Sequence, residues 1–132
     1  MAIPNGAGGY QYSDGNNGEA MLFIQGAPTA LTAAATVTAA QLANGLFTFN
    51  GTAGNMTLPT VADLEAEISS ATKVNAAFDF YVVNIDATTD DVTVYTNTGW
   101  TLVGVMQVDN ATSGHFRARK TGDGAWTCYR VS

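Results

Sequence analysis

The stretch GHFRARKTGDGAWTCYRV, residues 114–131, decides the fold because it contains two strand-like segments separated by a turn. Apolar and polar side chains alternate through GHFRARK and again through WTCYRV, as they do in strands with one buried face. Between them, TGDGA supplies the glycine and aspartate that tight turns favour. We therefore predict a β-hairpin here.

Alternation assigns the faces of the first hairpin strand. If Phe116 and Ala118 face the core, then His115, Arg117 and Arg119 face outward, because successive side chains of a strand point to opposite sides. The outward residues place two positive charges and an imidazole on one surface.

The second hairpin strand is divided in the same way, into an inner set and an outer set: Thr127, Tyr129 and Val131 inside, and Trp126, Cys128 and Arg130 outside. This assignment puts Trp126 among arginines. The surface is then either a solvated face held by cation–π and cross-strand contacts, or a protein interface, where Trp and Arg are favoured anchors.

Further strand-like segments precede the hairpin, several of them at the spacing of 8 to 12 residues that is typical of sandwiches and barrels. They are MLFI (21–24), GLFTFNG (45–51), NMTLP (55–59), NAAFDFYVVNI (75–85), DVTVYTN (91–97) and WTLVGVMQV (100–108). Large apolar groups on both faces of NAAFDFYVVNI predict a strand that is covered on both sides. A Gly-containing turn is expected between GLFTFNG and NMTLP.

One segment, TVADLEAEISSA (60–71), has the pattern of a helix. Thr60 can cap its start, and Val61, Leu64 and Ile68 recur on one face. Only a helical turn is expected near residues 38–42, stopped at Asn44-Gly45. The predicted fold class is all-β: an antiparallel, jelly-roll-like β-sandwich with one short helix and an extended N-terminal arm.

Residues 1–30 are predicted to form the arm, and residues 31–132 a single β-sandwich domain. The first 20 residues are rich in Gly and Asn and lack the apolar periodicity of a core-forming segment. This segment is either a frayed terminus or an extended arm that orders on a partner, with Ile3, Tyr10 and Tyr12 as anchors.

Charge and composition exclude several classes of function. The 132-residue chain has a net charge of −6, and residues 1–72 contain no Lys or Arg, so no nucleic-acid partner is expected. No apolar run approaches the roughly 20 residues of a membrane span, so no membrane partner is expected either. A single cysteine, Cys128, excludes an internal disulfide framework.

Motifs for catalysis and metal binding are weak. His115 and Cys128 have no neighbouring nucleophile or redox partner, so neither catalytic residues nor cofactors are predicted. Asp86, Asp90 and Asp91 crowd the sequence DATTDD, which is either a calcium-binding loop or, as we favour because EF-hand spacing is missing, an Asp-rich turn.

Other carboxylates and aromatic side chains have simpler interpretations. Glu65 and Glu67 lie about 200° apart around a helix, so they cannot converge on a substrate and are expected to face solvent. Trp100 is either a core or interface residue, or a ring that stacks on a sugar in a binding module.

Six short segments, in this order and spacing, resemble small virion structural proteins of tailed bacteriophages, notably capsid decoration or cement proteins. They are TAAQL (38–42), TLPT (57–60), AFDFYVVN (77–84), TLVG (101–104), SGHFRARKTG (113–122) and the closing YRV (129–131). The resemblance covers about residues 36–132.

The resemblance implies a non-enzymatic protein that is made in the host cytoplasm and assembles, commonly as a homotrimer, on the outer surface of the capsid. Its partners are then the major capsid protein and other copies of itself. The predicted interface residues are Ile3, Tyr10, Tyr12, Arg117, Arg119, Trp126 and Arg130. The alternative is a receptor- or carbohydrate-binding module of a tail fibre, which uses Trp100 and Tyr95 against sugars.

Overall fold

The computed structural model describes residues 22–68 and 73–132. Its strands are β1 (Thr29–Leu31), β2 (Ala35–Thr36), β3 (Leu46–Phe49), β4 (Gly54–Thr57), β5 (Ala77–Asn84), β6 (Val92–Tyr95), β7 (Trp100–Val103), β8 (Gln107–Val108), β9 (Ser113–Gly122) and β10 (Ala125–Arg130). Its helices are α1 (Ala39–Asn44) and α2 (Val61–Glu67). The described chain is mostly β-structure with two helices, whereas the sequence predicts one short helix.

The strands form two sheets. One has six strands in the order β1-β3-β5-β9-β10-β7, and the other has four in the order β2-β4-β6-β8. The pairs β1–β3, β3–β5, β2–β4, β4–β6 and β7–β10 are parallel, whereas β5–β9, β9–β10 and β6–β8 are antiparallel. Both sheets are therefore mixed, and the prediction of an antiparallel arrangement is wrong for the parallel pairs.

Four of the five parallel pairs, all except β7–β10, arise because the chain alternates between the two sheets from β1 to β6. Each passage places one strand in each sheet, and the next passage lies beside it in parallel. Phe47 consequently pairs with Val82 in one sheet, and Met56 pairs with Val94 in the other. The segment between β3 and β4 therefore crosses from sheet to sheet and does not close a hairpin.

Helix α1 begins and ends on local signals. The Thr38 hydroxyl accepts a hydrogen bond from the Gln41 backbone N–H at 3.1 Å, and the Gln41 side chain accepts one from the Thr38 N–H at 2.9 Å. This reciprocal capping box satisfies two N–H groups that a helix start leaves free. Gly45 ends the helix with a φ of 81°, a left-handed conformation that glycine adopts without strain.

Helix α2 begins where the sequence predicts, but it is shorter than the predicted segment, residues 60–71. The Thr60 hydroxyl accepts a hydrogen bond from the Asp63 N–H at 3.2 Å, and Val61 and Leu64 are buried. The helix ends at its C-cap, Ile68. Residues 69–71, which the prediction included, lie outside the described residues.

A single apolar cluster joins both sheets and both helices. Its fully buried members include Phe47, Phe49, Phe80 and Phe116 from the six-stranded sheet and Met56 from the four-stranded sheet. The rings of Phe80 and Phe116 stack at 5.1 Å, and those of Phe47 and Phe80 meet edge to face at 6.3 Å. Aromatic contacts of this kind add to the free energy of apolar burial.

Two predicted strand environments are wrong. Leu22, Phe23 and Ile24 are not in a strand, and these side chains are 91%, 83% and 100% exposed. On β5, the side of the strand that carries Tyr81 is not covered, since Tyr81 is 44% exposed. The predicted domain boundary after residue 30 falls inside β1, which pairs with β3.

Neither helix in the described part of the chain has the length and apolar character that crossing a bilayer requires.

Candidate interaction surface

The first hairpin strand, β9, has the predicted faces. Phe116 and Ala118 are fully buried, Arg117 is exposed, and His115 and Arg119 are partly exposed. This part of the prediction is confirmed, because a strand beside a large apolar cluster keeps strict alternation over its length.

The second hairpin strand, β10, has the opposite faces to those predicted at several positions. Trp126 is 1% exposed and Cys128 is fully buried, whereas Tyr129 is only partly buried and Val131 is 51% exposed. Thr127, also predicted to lie inside, is paired with Arg119 and so lies on the outer side, although its side chain is buried. The pairing register shifts between Ala125 and Trp126, and a shift of one residue turns every following side chain to the other face.

Trp126 is therefore a core residue and offers no exposed ring for an interface. Its indole Nε1 donates a hydrogen bond to Glu65 Oε2 at 3.0 Å, and Lys120 Nζ lies 2.9 Å from the same oxygen. The Lys120 side chain is only 7% exposed. Glu65, which the sequence predicts to face solvent, thus fastens α2 to the inner side of the hairpin.

Sequence reasoning missed this contact between Glu65 and the hairpin, although alternation contains a signal for it. Lys120 follows Phe116 and Ala118 at two-residue spacing, so it belongs to the inner face of β9. A lysine on an inner face needs an anionic partner, because an unpaired buried charge is costly. Hydrogen bonds from Lys120 and then from Trp126 lower the pKa of Glu65.

The solvent side of the six-stranded sheet is the candidate site, and we call it the outer face. It is formed by Asp79 and Tyr81 of β5, His115, Arg117 and Arg119 of β9, Tyr129 of β10, and Val103 of β7. Its residues are cross-strand neighbours: Asp79 is paired with Arg117, and Arg117 with Tyr129.

Asp79 contacts two side chains of β9, Arg117 and His115. Its Oδ1 accepts a hydrogen bond from Arg117 Nε at 2.6 Å, and its Oδ2 accepts one from Arg117 Nη2 at 2.9 Å. His115 Nε2 lies 2.9 Å from the same Oδ2. These contacts, those with Arg117 above all, lower the pKa of Asp79 to about 2 from an ordinary 3.8, although partial burial opposes the shift.

Arg119 is held by a separate set of partners. Its Nε and Nη2 both donate hydrogen bonds to Tyr129 Oη, at 3.0 and 2.6 Å, and its Nη1 donates to Asn75 Oδ1 at 2.7 Å. Tyr81 stacks on His115 with ring centroids 4.5 Å apart. The cationic and aromatic groups of the outer face thus have defined positions before any partner binds.

Apolar side chains complete the outer face. Val103 is 47% exposed and is paired with Tyr129, while Leu46 is partly buried and is paired with Tyr81. Val131 continues β10 and donates its N–H to the His115 carbonyl. Arginine and tyrosine beside exposed aliphatic groups form the composition that is enriched in protein interfaces.

No described element covers the outer face, because the helices pack on its opposite side. Leu42 of α1 and Leu64 of α2 belong to the same buried cluster as Phe80, which points away from the outer face. The exposures of Tyr81 and Val103 follow from this arrangement.

Arg130, predicted for an interface, is engaged within the chain. Its Nε donates to the Ser132 carbonyl at 2.6 Å, and its Nη1 donates to the carbonyls of Gln107 and Val105 at 2.9 and 3.2 Å. Its guanidinium also lies 5.4 Å from the centre of the Phe116 ring. These contacts tie the C-terminal residues to the segment between β7 and β8.

Nucleophilic chemistry has no support from the positions of His115 and Cys128. His115 lies on the outer face, whereas Cys128 is buried on the inner face of the same sheet. Burial raises the pKa of the Cys128 thiol to about 12, which keeps the thiol protonated at neutral pH.

The DATTDD segment has the contacts of a hydrogen-bonded turn. Asp86 Oδ1 accepts hydrogen bonds from the Thr88 hydroxyl at 2.6 Å and the Thr88 N–H at 2.8 Å, which lower the pKa of Asp86. Asp91 accepts from the Asn110 N–H and from the Gln107 side chain. Among residues 22–68 and 73–132, no three His, Cys, Asp or Glu side chains form a group suited to a metal ion.

Trp100 is not available for stacking on a sugar. Its side chain is 8% exposed, and its indole Nε1 donates a hydrogen bond to the Pro59 carbonyl at 2.7 Å. Tyr95, the other aromatic residue of that hypothesis, is 49% exposed.

An open groove of about 470 Å³ lies near both helix starts, with polar lining residues Thr36, Thr38, Thr60, Asp63, Glu67 and Asn97.

No family model, curated protein or solved structure matches this chain. The outer face is therefore the feature from which we infer function.

Proposed function

We propose that this protein is a non-enzymatic capsid decoration protein of a bacteriophage. In this proposal, a sandwich-like body of two sheets forms a homo-oligomer, a trimer by expectation, on the outer surface of the head. Its partners are the major capsid protein and other copies of itself, and its role is to stabilise the shell. The uncovered outer face is the single observation that carries the proposal.

Preorganisation of the outer face supports a role in assembly. Binding loses free energy when flexible side chains must be ordered at an interface. Arg117 and Arg119 already have fixed partners in Asp79 and Tyr129, so less side-chain entropy remains to be lost. A face of this kind suits a protein that works by contact with other proteins.

Oligomerisation would make attachment to the shell stable even if each subunit binds the capsid protein only weakly. When one subunit of a rigid oligomer has bound a shell, the remaining subunits bind intramolecularly at a high effective concentration. Each subunit then needs only a weak contact with the capsid protein.

The test compares two tyrosines of similar exposure on different sheets. Tyr81, on the outer face, is 44% exposed, and Tyr95, on β6 of the four-stranded sheet, is 49% exposed. The mass of each purified variant in solution and its co-sedimentation with purified heads of the encoding phage would be measured. Circular dichroism would establish that both variants are folded.

Tyr81→Ala is expected to weaken oligomer formation or head binding, whereas Tyr95→Ala is expected to behave as the wild type. A wild-type protein that stays monomeric and does not sediment with heads would refute the proposal. Equal losses in both variants would show that the outer face has no special role.

The alternative, a receptor- or carbohydrate-binding module of a tail fibre, now depends on Tyr95 and on the open groove near the helix starts. Trp100, its main aromatic candidate, is buried and hydrogen-bonded to Pro59. Labelling of intact virions separates the two functions. Many copies over the head support decoration, whereas a few copies at the tail support receptor binding.

A further inference from the structure

We propose that the outer face is covered by residues 13–24 of a neighbouring copy of the same chain. This inference rests on the proposed function as a homo-oligomer and names the contact that holds the copies together. The segment has the sequence SDGNNGEAMLFI. It leaves residues 1–12, with Ile3, Tyr10 and Tyr12, to reach the shell.

Charge complementarity favours this occupant. Residues 13–24 contain Asp14 and Glu19 and no basic residue. The outer face carries Arg117 and Arg119 against the single carboxylate of Asp79, so it has an excess of positive charge in an acidic protein. The two contacts with Asp79 leave Arg117 53% exposed, with N–H groups still available to a second carboxylate.

Apolar complementarity favours it as well. Leu22, Phe23 and Ile24 are three consecutive large apolar side chains that make almost no contact with their own body. Val103 and Val131 on the outer face are about half exposed. Contiguous exposed apolar groups mark interaction sites, and each set here offers the other a partner.

The residues that directly follow the segment are held on the body of the protein. Gln25 Nε2 donates to the Asn44 carbonyl at 2.8 Å, and Asn44 Nδ2 donates to the Ala27 carbonyl at 2.9 Å. A Cβ on Gly26 would come within 2.5 Å of Asn44 Oδ1, so a larger residue there would displace the Asn44 side chain. The chain is thus held at residues 25–27, and Ile24, immediately before them, is 100% exposed.

The dimensions fit an exchange between copies. β1, which follows the segment, is one edge of the six-stranded sheet, and β7, with Val103, is the opposite edge. Twelve extended residues span up to about 40 Å, whereas six strands at about 4.8 Å spacing span about 24 Å. Copies placed with the β1 edge of one beside the β7 edge of the next make a heterologous contact, which closes into a ring when the rotation permits.

The experiment detects the contact with single cysteines in the full chain. One version carries Ala20→Cys in the arm, and the other carries Val103→Cys on the outer face. Matched controls carry Tyr95→Cys, a similarly exposed position on the four-stranded sheet. Cys128 is buried and remains in every version. The arm version is mixed with each of the others, and oxidation products are separated by mass without reduction.

A disulfide between two chains is expected for the pair Ala20→Cys with Val103→Cys, and not for the pair with Tyr95→Cys. Arg119→Glu in the outer-face version should remove the product, and Asp14→Arg with Glu19→Arg in the arm version should restore it. Equal products with both pairs would overturn the inference. A chain that carries both Ala20→Cys and Val103→Cys and forms only an intrachain disulfide would overturn it as well.

Solution and head-binding measurements separate this inference from the proposed function. Oligomers that persist after deletion of residues 2–24 and still bind heads would overturn the arm contact and leave the decoration function standing. An interchain disulfide in a protein that binds no heads would support the arm contact and refute decoration.

Discussion

Asp79→Asn should destabilise the protein at neutral pH and remove a defined part of its acid sensitivity. The substitution keeps the shape of the side chain and removes the negative charge that binds Arg117 and lies beside His115. An amide also offers one acceptor in place of two, so the paired hydrogen bonds from Arg117 cannot both persist.

The expected loss of stability in Asp79→Asn follows from the pKa of Asp79 in the folded protein. Contacts in the folded state lower this pKa from 3.8 to about 2, and each pKa unit is equivalent to about 1.36 kcal/mol. The full shift gives an upper limit of about 2.4 kcal/mol. The side chain is 25% exposed, so solvent screening reduces the expected contribution to about 1–2 kcal/mol.

The sign of the pH dependence follows from the direction of the shift. Because folding lowers the pKa of Asp79, the folded state binds fewer protons than the unfolded state. The stabilisation is fully present above the unfolded pKa near 4 and is lost as pH falls through the folded pKa near 2. The difference between wild type and Asp79→Asn should shrink over that interval.

Urea unfolding measured by tryptophan fluorescence, at one protein concentration and a series of pH values, checks this expectation. Trp100 and Trp126 are both buried, so their emission reports loss of the core. Asp123→Asn is the matched control, because Asp123 is exposed in the hairpin turn. A variant as stable as wild type at pH 7, or a stability gap unchanged at pH 2, would refute the reasoning.

Two substitutions, one at the end of β5 and one in the connection between β3 and β4, test the architecture. Asn84→Ala should lower the free energy of unfolding by about 2–4 kcal/mol, because Asn84 is 1% exposed, donates to two carbonyls and accepts one N–H. The control Asn55→Ala, at an exposed position, should change the free energy of unfolding by less than about 0.5 kcal/mol. Equal urea midpoints for the two variants would contradict this expectation. Gly51→Ala should cost about 1–3 kcal/mol or more, because its Cβ would overlap the Thr32 carbonyl. Thermal melts would compare it with Gly122→Ala, whose Cβ meets open space, and a shared melting temperature would exclude the predicted overlap.

Local signals made the helix starts and one strand of the hairpin predictable. Thr60 and Thr38 cap helices through their own hydroxyls, which depends on residues three positions away and on nothing distant. Phe116 and Ala118 alternate with polar residues over an uninterrupted strand. Such features are encoded within a few residues of sequence.

The parallel pairing was not predictable from alternation alone. Alternation assigns the two faces of a strand, but it does not say which sheet the next strand enters. In the structure Thr36 of β2 is paired with Thr57 of β4, and the Val37 N–H donates to the Thr57 carbonyl at 2.9 Å. This pairing depends on the passage of the chain between the two sheets.

The candidate site was partly predictable, because alternation along a strand is a local signal whereas strand pairing is not. Arg117 and Arg119 follow from alternation on β9, but Trp126 does not, because the register shift before it depends on how the turn closes. The partner of Arg117 was also out of reach, since Asp79 lies 38 residues away and meets it only through the β5–β9 pairing.

The inner and outer sides of the hairpin act together. On the inner side, Glu65 binds Lys120 and Trp126 and so fixes the hairpin against α2. On the outer side, the same strands carry Arg119 and Tyr129, whose mutual hydrogen bonds require a fixed strand spacing. Loss of the inner contact should therefore loosen the outer network even though no outer residue is changed. A rigid support favours binding at such a surface, because the interface side chains are then already ordered and little conformational entropy is lost when the partner binds.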